Sequence, residues 1–223
     1  MTSSAKKAPR LAIFDGHGII HRAYYALKDS PLVVKRTGEA TSAVFGFTNT
    51  LLAVIDDLKP THIVVAMDLP VPTFRHLRDS TYKATRFEGV RAQVVKSLES
   101  VEGLREDARL AIAEVVTGAS SRDQIRDGLR EASVKASVPE EVQNELERSL
   151  EPVQAAWDIG RQIARTLEMM EAFNIPVYSA PGYEADDIMG TLAVEAHALG
   201  IDTYLVTLDT DLIQLIEPGV TIY

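Results

Sequence analysis

The sequence contains no cysteine. This absence excludes disulfide bonds and thiolate metal sites, and it fits a reducing cytoplasmic environment. The sequence also lacks an apolar run long enough to cross a membrane. Its polar, basic start, MTSSAKKAPR, has no apolar stretch of signal-peptide length before Leu11. We therefore expect a cytoplasmic protein with no membrane partner.

Positive charge is scarce as well. Lys and Arg number 23 against 32 Asp and Glu, which gives a formal net charge of -9 and a sequence pI near 5.1. A protein that binds nucleic acid over its whole surface is usually basic. Any contact with DNA or RNA is therefore expected to come from a local basic patch.

Short apolar strands alternate with helical segments along most of the 223 residues. The clearest strands are LAIFD (11–15), THIVVAMD (61–68), IPVYSA (175–180) and TYLVTLDTD (203–211). This alternation predicts an α/β fold with a mostly parallel central sheet and helices on both faces. In such sheets, ligands collect beyond the carboxyl ends of the strands, where the topology switches direction.

The stretch from about 87 to 150 has no strand-like alternation and carries charges of both signs. Apolar residues recur in it at helical spacing, and SVPE (137–140) has the form of a helix-capping box. We expect several short helices here. The segment that starts with EPVQ at residue 151 then follows helical periodicity up to Asn174.

Carboxylates concentrate at strand ends and at the start of one predicted helix. Two unit charges 4 Å apart repel by roughly 4 kcal/mol at an effective dielectric of 20, so crowded carboxylates favour a cation between them. Acidic residues at helix starts can also simply cap the helix. Four acidic segments meeting at one sheet edge nevertheless favour a shared cation site. Its candidate residues are Asp15, Asp68, Glu184, Asp186, Asp187 and Asp209.

Oxygen ligands without cysteine or clustered histidine suit a hard cation, Mg²⁺ or Mn²⁺, and argue against zinc. Two such ions roughly 4 Å apart can activate water and stabilise both the attacking and the leaving oxygen at a phosphorus centre. Phosphodiester hydrolysis is the chemistry that this pattern indicates.

Four segments, in this order, resemble the 5'→3' exonuclease (flap endonuclease-like) domain at the start of bacterial DNA polymerase I. They are IFDGHGIIHRAYYAL, PTFRHLRDSTYKATR, GYEADDIMGTLA and VTLDTDLIQLI. The resemblance covers residues 11–86 and about 153–223. It implies a PIN-like fold and a nuclease that uses divalent metals to cut DNA with 5' ends or flaps.

The resemblance also implies roles for individual residues. A first metal site would be formed by Asp15, Asp68, Glu184, Asp186 and Asp187, and a second, incomplete one by Asp209 and Asp211. The residues that would contact DNA are Arg22, Arg75, Tyr82, Lys83 and Arg86. Among these, the ring of Tyr82 would stack on a base and the cations would steer phosphate. Arg22 and Lys83 would act in catalysis beside Asp15, Asp68, Asp186 and Asp187.

By the same resemblance, residues 1–86 and 153–223 correspond to the α/β domain, and 87–152 to a helical insertion. The insertion falls where the family builds a helical arch over its site. We expect it to cover the site, reshape the arch or dock a protein partner. The family's following segment, which grips duplex DNA, is absent up to Tyr223, so the chain is either a fragment of a longer protein or a short relative.

Two other functions remain open. A PIN-type ribonuclease shares the acidic rim, and a non-catalytic nucleic-acid-binding module could retain that rim without turnover. The YKATR motif (82–86) and the seven acidic residues favour the DNA nuclease.

Overall fold

The structure is a computed structural model that describes residues 8–79, 90–118 and 122–223. The chain divides into two compact units, one formed by Met1–Tyr82 with Arg161–Tyr223 and the other by Lys83–Gly160. Within the described ranges, every helix is either too short or too polar to traverse a lipid bilayer.

The first unit is built on a sheet whose strand pairs are all parallel. Its strands are β1 Arg10–Asp15, β2 His62–Ala66, β3 Val177–Tyr178, β4 Asp202–Val206 and β5 Val220–Ile222. They lie in the order β3-β2-β1-β4-β5, and Ile13 in the central strand pairs with Val64 on one side and Leu205 on the other. The chain therefore moves outward from β1 in one direction and then in the other, which puts the switch point between β1 and β4.

Helices cover both faces of this sheet, as the sequence predicted. Successive strand residues point to opposite faces, so Ile13 and Phe14 face different layers. On one face, Ile13 is buried with Met189 of helix α8 (Ala185–Ala198). On the other, the ring centroid of Phe14 lies 6.0 Å from that of Phe47 in helix α2 (Ser42–Leu58). The predicted α/β fold with a parallel central sheet is confirmed.

Two shorter helices of the first unit follow strands and matter for the site. Helix α1 (Gly16–Ala26) begins immediately after β1 and packs on α2, where a Cβ on Gly46 would lie 2.4 Å from the Cβ of Ala23. Helix α3 (Phe74–Arg78) follows β2 after a short loop. Both helices therefore start near the carboxyl ends of the strands.

The second unit contains α4 (Val90–Glu99), α5 (Glu106–Gly118), α6 (Arg122–Lys135) and the first part of α7 (Glu140–Ala172). Its buried apolar side chains include Val94, Leu98, Ile112, Leu129, Leu146 and Leu150. These positions recur at helical spacing, so each helix contributes one apolar face to a common core.

Helix α7 differs from the sequence-based expectation of a separate helix starting at residue 151. It runs from Glu140 to Ala172 with Pro152 inside it. The apolar face continues through the proline, because Leu150 and Val153 are both buried in the core of the second unit. Burial of this face offsets the roughly 3 kcal/mol by which proline disfavours a helix interior.

Candidate metal centre

Three neighbouring strands deliver an aspartate to the same edge of the sheet. Asp15 is the last residue of β1 and is buried, while Asp68 lies just beyond β2 and Asp209 just beyond β4. Because β1 lies between β2 and β4, these three carboxyl ends are adjacent. They flank the switch point, where ligands of parallel sheets usually bind.

The carboxylate of Asp15 is held by donors from two elements. Its Oδ1 accepts a hydrogen bond of 2.9 Å from the backbone N–H of Gly18 in the first turn of α1. Its Oδ2 accepts a hydrogen bond of 3.0 Å from the hydroxyl of Thr207. The Thr207 oxygen in turn accepts the backbone N–H of Asp209 at 3.0 Å. This chain of hydrogen bonds joins the end of β1 to the loop that carries Asp209.

Gly18 allows this arrangement because it has no side chain. A Cβ at that position would lie 2.1 Å from Oδ2 of Asp15, which is far inside van der Waals contact. The second glycine of DGHG is therefore required by the close approach of the carboxylate.

Asp68 connects β2 to two helices. Its Oδ1 accepts a hydrogen bond of 2.7 Å from the backbone N–H of Ala185, the first residue of α8. Its own backbone N–H donates to Nδ1 of His17 at 3.2 Å. The N–H groups of a first helical turn have no partner within the helix, so Asp68 satisfies one of them.

The first turn of α8 brings Asp186 into the middle of the acidic group. The pKa of the Asp186 carboxyl is raised to about 6, first by burial and then by four neighbouring carboxylates. In order of decreasing effect, these neighbours are Asp15, Asp209, Asp68 and Glu184. These four carboxylates therefore lie near enough to Asp186 to disfavour its negative charge.

Asp187, the next residue, forms an ion pair with Arg75 of α3. The two Nη atoms of Arg75 donate to the two carboxylate oxygens of Asp187 at 2.7 and 2.8 Å. This contact holds the pKa of Asp187 below its usual range. Nη1 of Arg75 also lies 3.7 Å from Oε2 of Glu184, the buried N-cap residue of α8.

Asp209 and Asp211 lie at the start of a 3-10 helix (Thr210–Leu215), where Oδ1 of Asp209 accepts the N–H of Asp211 at 2.9 Å. Both residues are exposed. Asp211 lines an open pocket of about 1340 Å³ whose wall also includes Glu184 and Asp186. Asp211 is not among the carboxylates that raise the pKa of Asp186.

The side chains of this acidic group offer the oxygen ligands that a hard divalent cation prefers. These ligands are carboxylate oxygens, partly buried and mutually repelling, which a cation would stabilise. As the side chains are placed, no three acidic or imidazole groups within the described ranges converge closely enough to hold a metal ion. Asp15 and Asp68 instead accept hydrogen bonds from the Thr207 hydroxyl and the Ala185 N–H.

The predicted DNA-contacting residues are distributed as follows. Arg22 is exposed on α1, and Arg75 is engaged by Asp187. Tyr82, Lys83 and Arg86 lie outside the described residues. Sequence reasoning did not identify Thr207, which is buried between two of the acidic residues. The one feature of the sequence that could have identified Thr207 is its hydroxyl, which lies just beyond a strand and two residues before Asp209.

Residues 10–119 and 151–223 match a protein-family model described as "5'-3' exonuclease, N-terminal resolvase-like domain". DNA polymerase I of Chloroflexus aurantiacus is 31% identical over 214 residues, which are 96% of this chain and 16% of that protein. DNA polymerase I of Mycobacterium bovis is 29% identical over 220 residues, 99% of this chain and 17% of that protein. The chain thus spans less than a fifth of either relative.

Among solved structures, a flap endonuclease of bacteriophage T5, described as a pseudo-enzyme-product complex with DNA and metal ions, is similar in fold. It matches 96% of this chain and 54% of its own with a TM-score of 0.52 and 14% sequence identity.

Proposed function

The chain belongs to the family of 5'-3' exonuclease N-terminal, resolvase-like domains, and on this premise we propose that it is a divalent-metal-dependent nuclease. It hydrolyses phosphodiester bonds of DNA at 5' ends or flaps. The observation that carries the proposal is the gathering of four carboxylates around Asp186 at the switch point of a parallel sheet. The cytoplasmic location expected from the cysteine-free sequence is part of the same proposal.

The ions are Mg²⁺ or Mn²⁺, because the donors are all oxygen atoms. The first ion is held by Asp15, Asp68, Glu184 and Asp186, and Asp209 and Asp211 serve a second. When bound, such ions supply Lewis-acid activation of the phosphodiester and of the attacking water. The sequence-based assignment of Asp187 to the first ion stays a prediction. In the structure its carboxylate binds Arg75, which is a different role for the same residue.

Neighbouring groups of the chain orient these ligands. The hydroxyl of Thr207 and the N–H of Gly18 fix the two oxygens of Asp15, and the N–H of Ala185 fixes one oxygen of Asp68. Hydrogen-bonding partners of this kind set ligand orientation and typically change metal affinity or activity 10–100-fold.

DNA is bound by cationic and aromatic side chains beside the acidic group. Arg22 is exposed on α1, the helix that begins directly after Asp15, where it can contact phosphate. Lys83 and Arg86 are proposed to steer phosphate and Tyr82 to stack on a base, as their motif suggests. The bound DNA and metal ions of the T5 flap endonuclease, which has a similar fold, support this choice of substrate and cofactor.

The test is a cleavage assay with a labelled 5'-flap DNA and an RNA strand of the same sequence, each with Mg²⁺, Mn²⁺ or EDTA. Asp186→Asn should lower metal-dependent flap cleavage by about 10²-fold or more, as for other losses of an electrostatic group at a reacting centre. The matched control is Asp56→Asn, the same chemical change at an exposed residue of α2, which should keep wild-type activity.

Each alternative gives a different result. Cleavage of RNA alone would replace the proposal with a ribonuclease. Metal binding without cleavage of either strand would replace it with a nucleic-acid-binding module. An equal loss of flap cleavage in Asp186→Asn and Asp56→Asn would mean that Asp186 has no specific role in the reaction.

A further inference from the structure

Helix α3 is fastened to the turn that begins α8 by backbone and ring contacts. The N–H of Phe74 donates to the carbonyl oxygen of Gly182 at 2.9 Å. The ring centroids of Phe74 and Tyr183 are 5.8 Å apart, and the guanidinium carbon of Arg75 lies 4.5 Å from the Phe74 centroid. The Phe74 ring therefore limits the movement of the Arg75 guanidinium on one side. The Nη atoms of Arg75 reach the acidic turn on the other.

The carboxylate of Asp187 is nearly saturated with donors. Its Oδ2 accepts Nη1 of Arg75 at 2.7 Å and the backbone N–H of Glu184 at 2.9 Å, and its Oδ1 accepts Nη2 of Arg75 at 2.8 Å. A carboxylate offers about four acceptor positions, so three N–H donors leave little capacity for a cation. The two parallel N–H···O bonds also fix its orientation, as a single contact would not.

We propose that Arg75 and Asp187 form a positioning clasp that holds the first turn of α8, and with it Glu184 and Asp186, in the orientation the reaction needs. Arg75 is then a positioning residue instead of a phosphate contact, and Asp187 is its receptor instead of a metal ligand. The inference rests on the proposed function, since it assigns how that same site is held.

The clasp also balances charge. Arg75 neutralises Asp187 and lies 3.7 Å from Glu184, so it reduces repulsion within a turn that carries three acidic residues. Its guanidinium donates to Asp187, and Asp186 keeps its four carboxylate neighbours. The site thus keeps its negative charge for a cation while the turn that bears it stays ordered.

The first test compares steady-state flap cleavage by three single variants and one double variant. Arg75→Lys keeps the charge but loses the bidentate fork, and Arg75→Gln and Asp187→Asn each remove one partner. Each should lower kcat roughly 10–100-fold with little change in KM, because small misplacements of reacting groups cost that much. The double variant Arg75→Gln/Asp187→Asn should be no worse than either single variant, since both remove the same contact.

The second test needs no activity. The double variant removes one positive and one negative charge, so the local net charge is unchanged. Its affinity for Mn²⁺, measured by electron paramagnetic resonance without DNA, should fall about tenfold, and to the same extent as that of Arg75→Lys, because both variants lose the contact that orients Glu184 and Asp186. In NMR spectra of ¹⁵N-labelled wild-type protein, the two hydrogen bonds should slow the rotation of the Arg75 NH₂ groups about their Cζ–Nη bonds. Asp187→Asn should abolish that signature.

The matched control is Arg165→Gln, which removes an arginine that donates to Glu39 at 2.9 Å on another face of the same unit. It should leave kcat, Mn²⁺ affinity and the Arg75 signals unchanged. Circular dichroism melting identifies any variant that does not fold. In that case the NMR signals of the Arg75 Nη groups in the wild-type protein test the clasp without any variant. Freely rotating Nη groups would overturn the clasp.

Other results overturn it in distinguishable ways. A wild-type kcat for Arg75→Lys, with a raised KM and a weaker salt dependence for Arg75→Gln, would make Arg75 a phosphate contact. A tenfold or greater loss of Mn²⁺ affinity in the double variant, together with wild-type affinity in Arg75→Lys, would make Asp187 a metal ligand. Wild-type protein that cleaves neither substrate would sink the proposed function, while the Mn²⁺ and guanidinium measurements would still decide on the clasp.

Discussion

The hydroxyl of Thr207 donates a 3.0 Å hydrogen bond to the carboxylate of Asp15, although the two residues are 192 positions apart in the sequence. The bond joins the end of β1 to the loop that follows β4, and the topology of the sheet switches between these two strands. Both partners are buried, so water cannot readily replace either of them. One hydroxyl therefore holds a central acidic residue in place.

Replacing Thr207 by valine should remove this support while conserving volume. It leaves a buried carboxylate oxygen without its donor, which costs about 1–3 kcal/mol in the free energy of unfolding. The concentration of Mg²⁺ needed for half-maximal cleavage should rise about tenfold. Urea unfolding and a Mg²⁺ titration measure the two effects. Thr207→Ser keeps the hydroxyl and should restore most of both, whereas a valine variant equal to wild type would contradict the role of the bond.

Replacing Gly18 by alanine should displace the Asp15 carboxylate. The new Cβ would lie 2.1 Å from Oδ2, so the carboxylate must turn away from Thr207. We expect cleavage to fall roughly 10–100-fold, as a ligand misplaced by about 1 Å does. Gly160→Ala is the control, because nothing lies within 4 Å of a Cβ at this position inside α7. It should stabilise the protein by about 0.4–1 kcal/mol and leave cleavage unchanged. Equal activities of the two variants would refute the steric argument.

The raised pKa of Asp186 predicts a pH dependence of stability in EDTA. The folded protein holds this proton up to about pH 6, whereas the carboxyl's ordinary pKa is 3.8. Between these values the folded state binds more protons than the unfolded chain, so the free energy of unfolding falls as pH rises. Asp186→Asn removes this loss and should be more stable than wild type at pH 7 by about 1 kcal/mol, after discounting for solvent screening.

Urea unfolding of both proteins at pH 4.5 and pH 7.5 checks the sign. The advantage of the asparagine variant should be present at the higher pH and should shrink at the lower one. Addition of Mg²⁺ should reverse the order, because an ion bound only by the folded wild type stabilises it. A variant less stable than wild type at pH 7.5 in EDTA would show that the acidic group is not under repulsion.

Replacing Pro152 by alanine should stabilise α7. Proline lacks the N–H that an interior helical position uses, and it disfavours a helix by about 3 kcal/mol relative to alanine. Because Pro152 lies inside a continuous helix, the substitution should restore a hydrogen bond without disturbing the buried Leu150 and Val153. Urea unfolding followed by circular dichroism measures the gain. A loss of stability would mean that the helix is interrupted at this position.

The sequence was sufficient to predict the parallel sheet and the strand ends at which Asp15, Asp68 and Asp209 lie. Apolar runs that end in aspartate identify both the strands and the edge they share, since parallel strands place their carboxyl ends together. The pairing of Arg75 with Asp187 could not be predicted, because the partners are 112 positions apart and neither is unusual locally. The continuity of α7 was not predicted, because proline disfavours a helix interior by about 3 kcal/mol and only the burial of Leu150 and Val153 offsets that cost.

The strands at the two borders of the sheet are its shortest, with two residues in β3 and three in β5. Open backbone N–H and C=O groups at such borders invite pairing with another chain, and short borders offer few of them. The three longer strands, which bring aspartates to the site, are each enclosed by neighbours on both sides. The same strand order that gathers negative charge at the centre therefore also protects the sheet against aggregation.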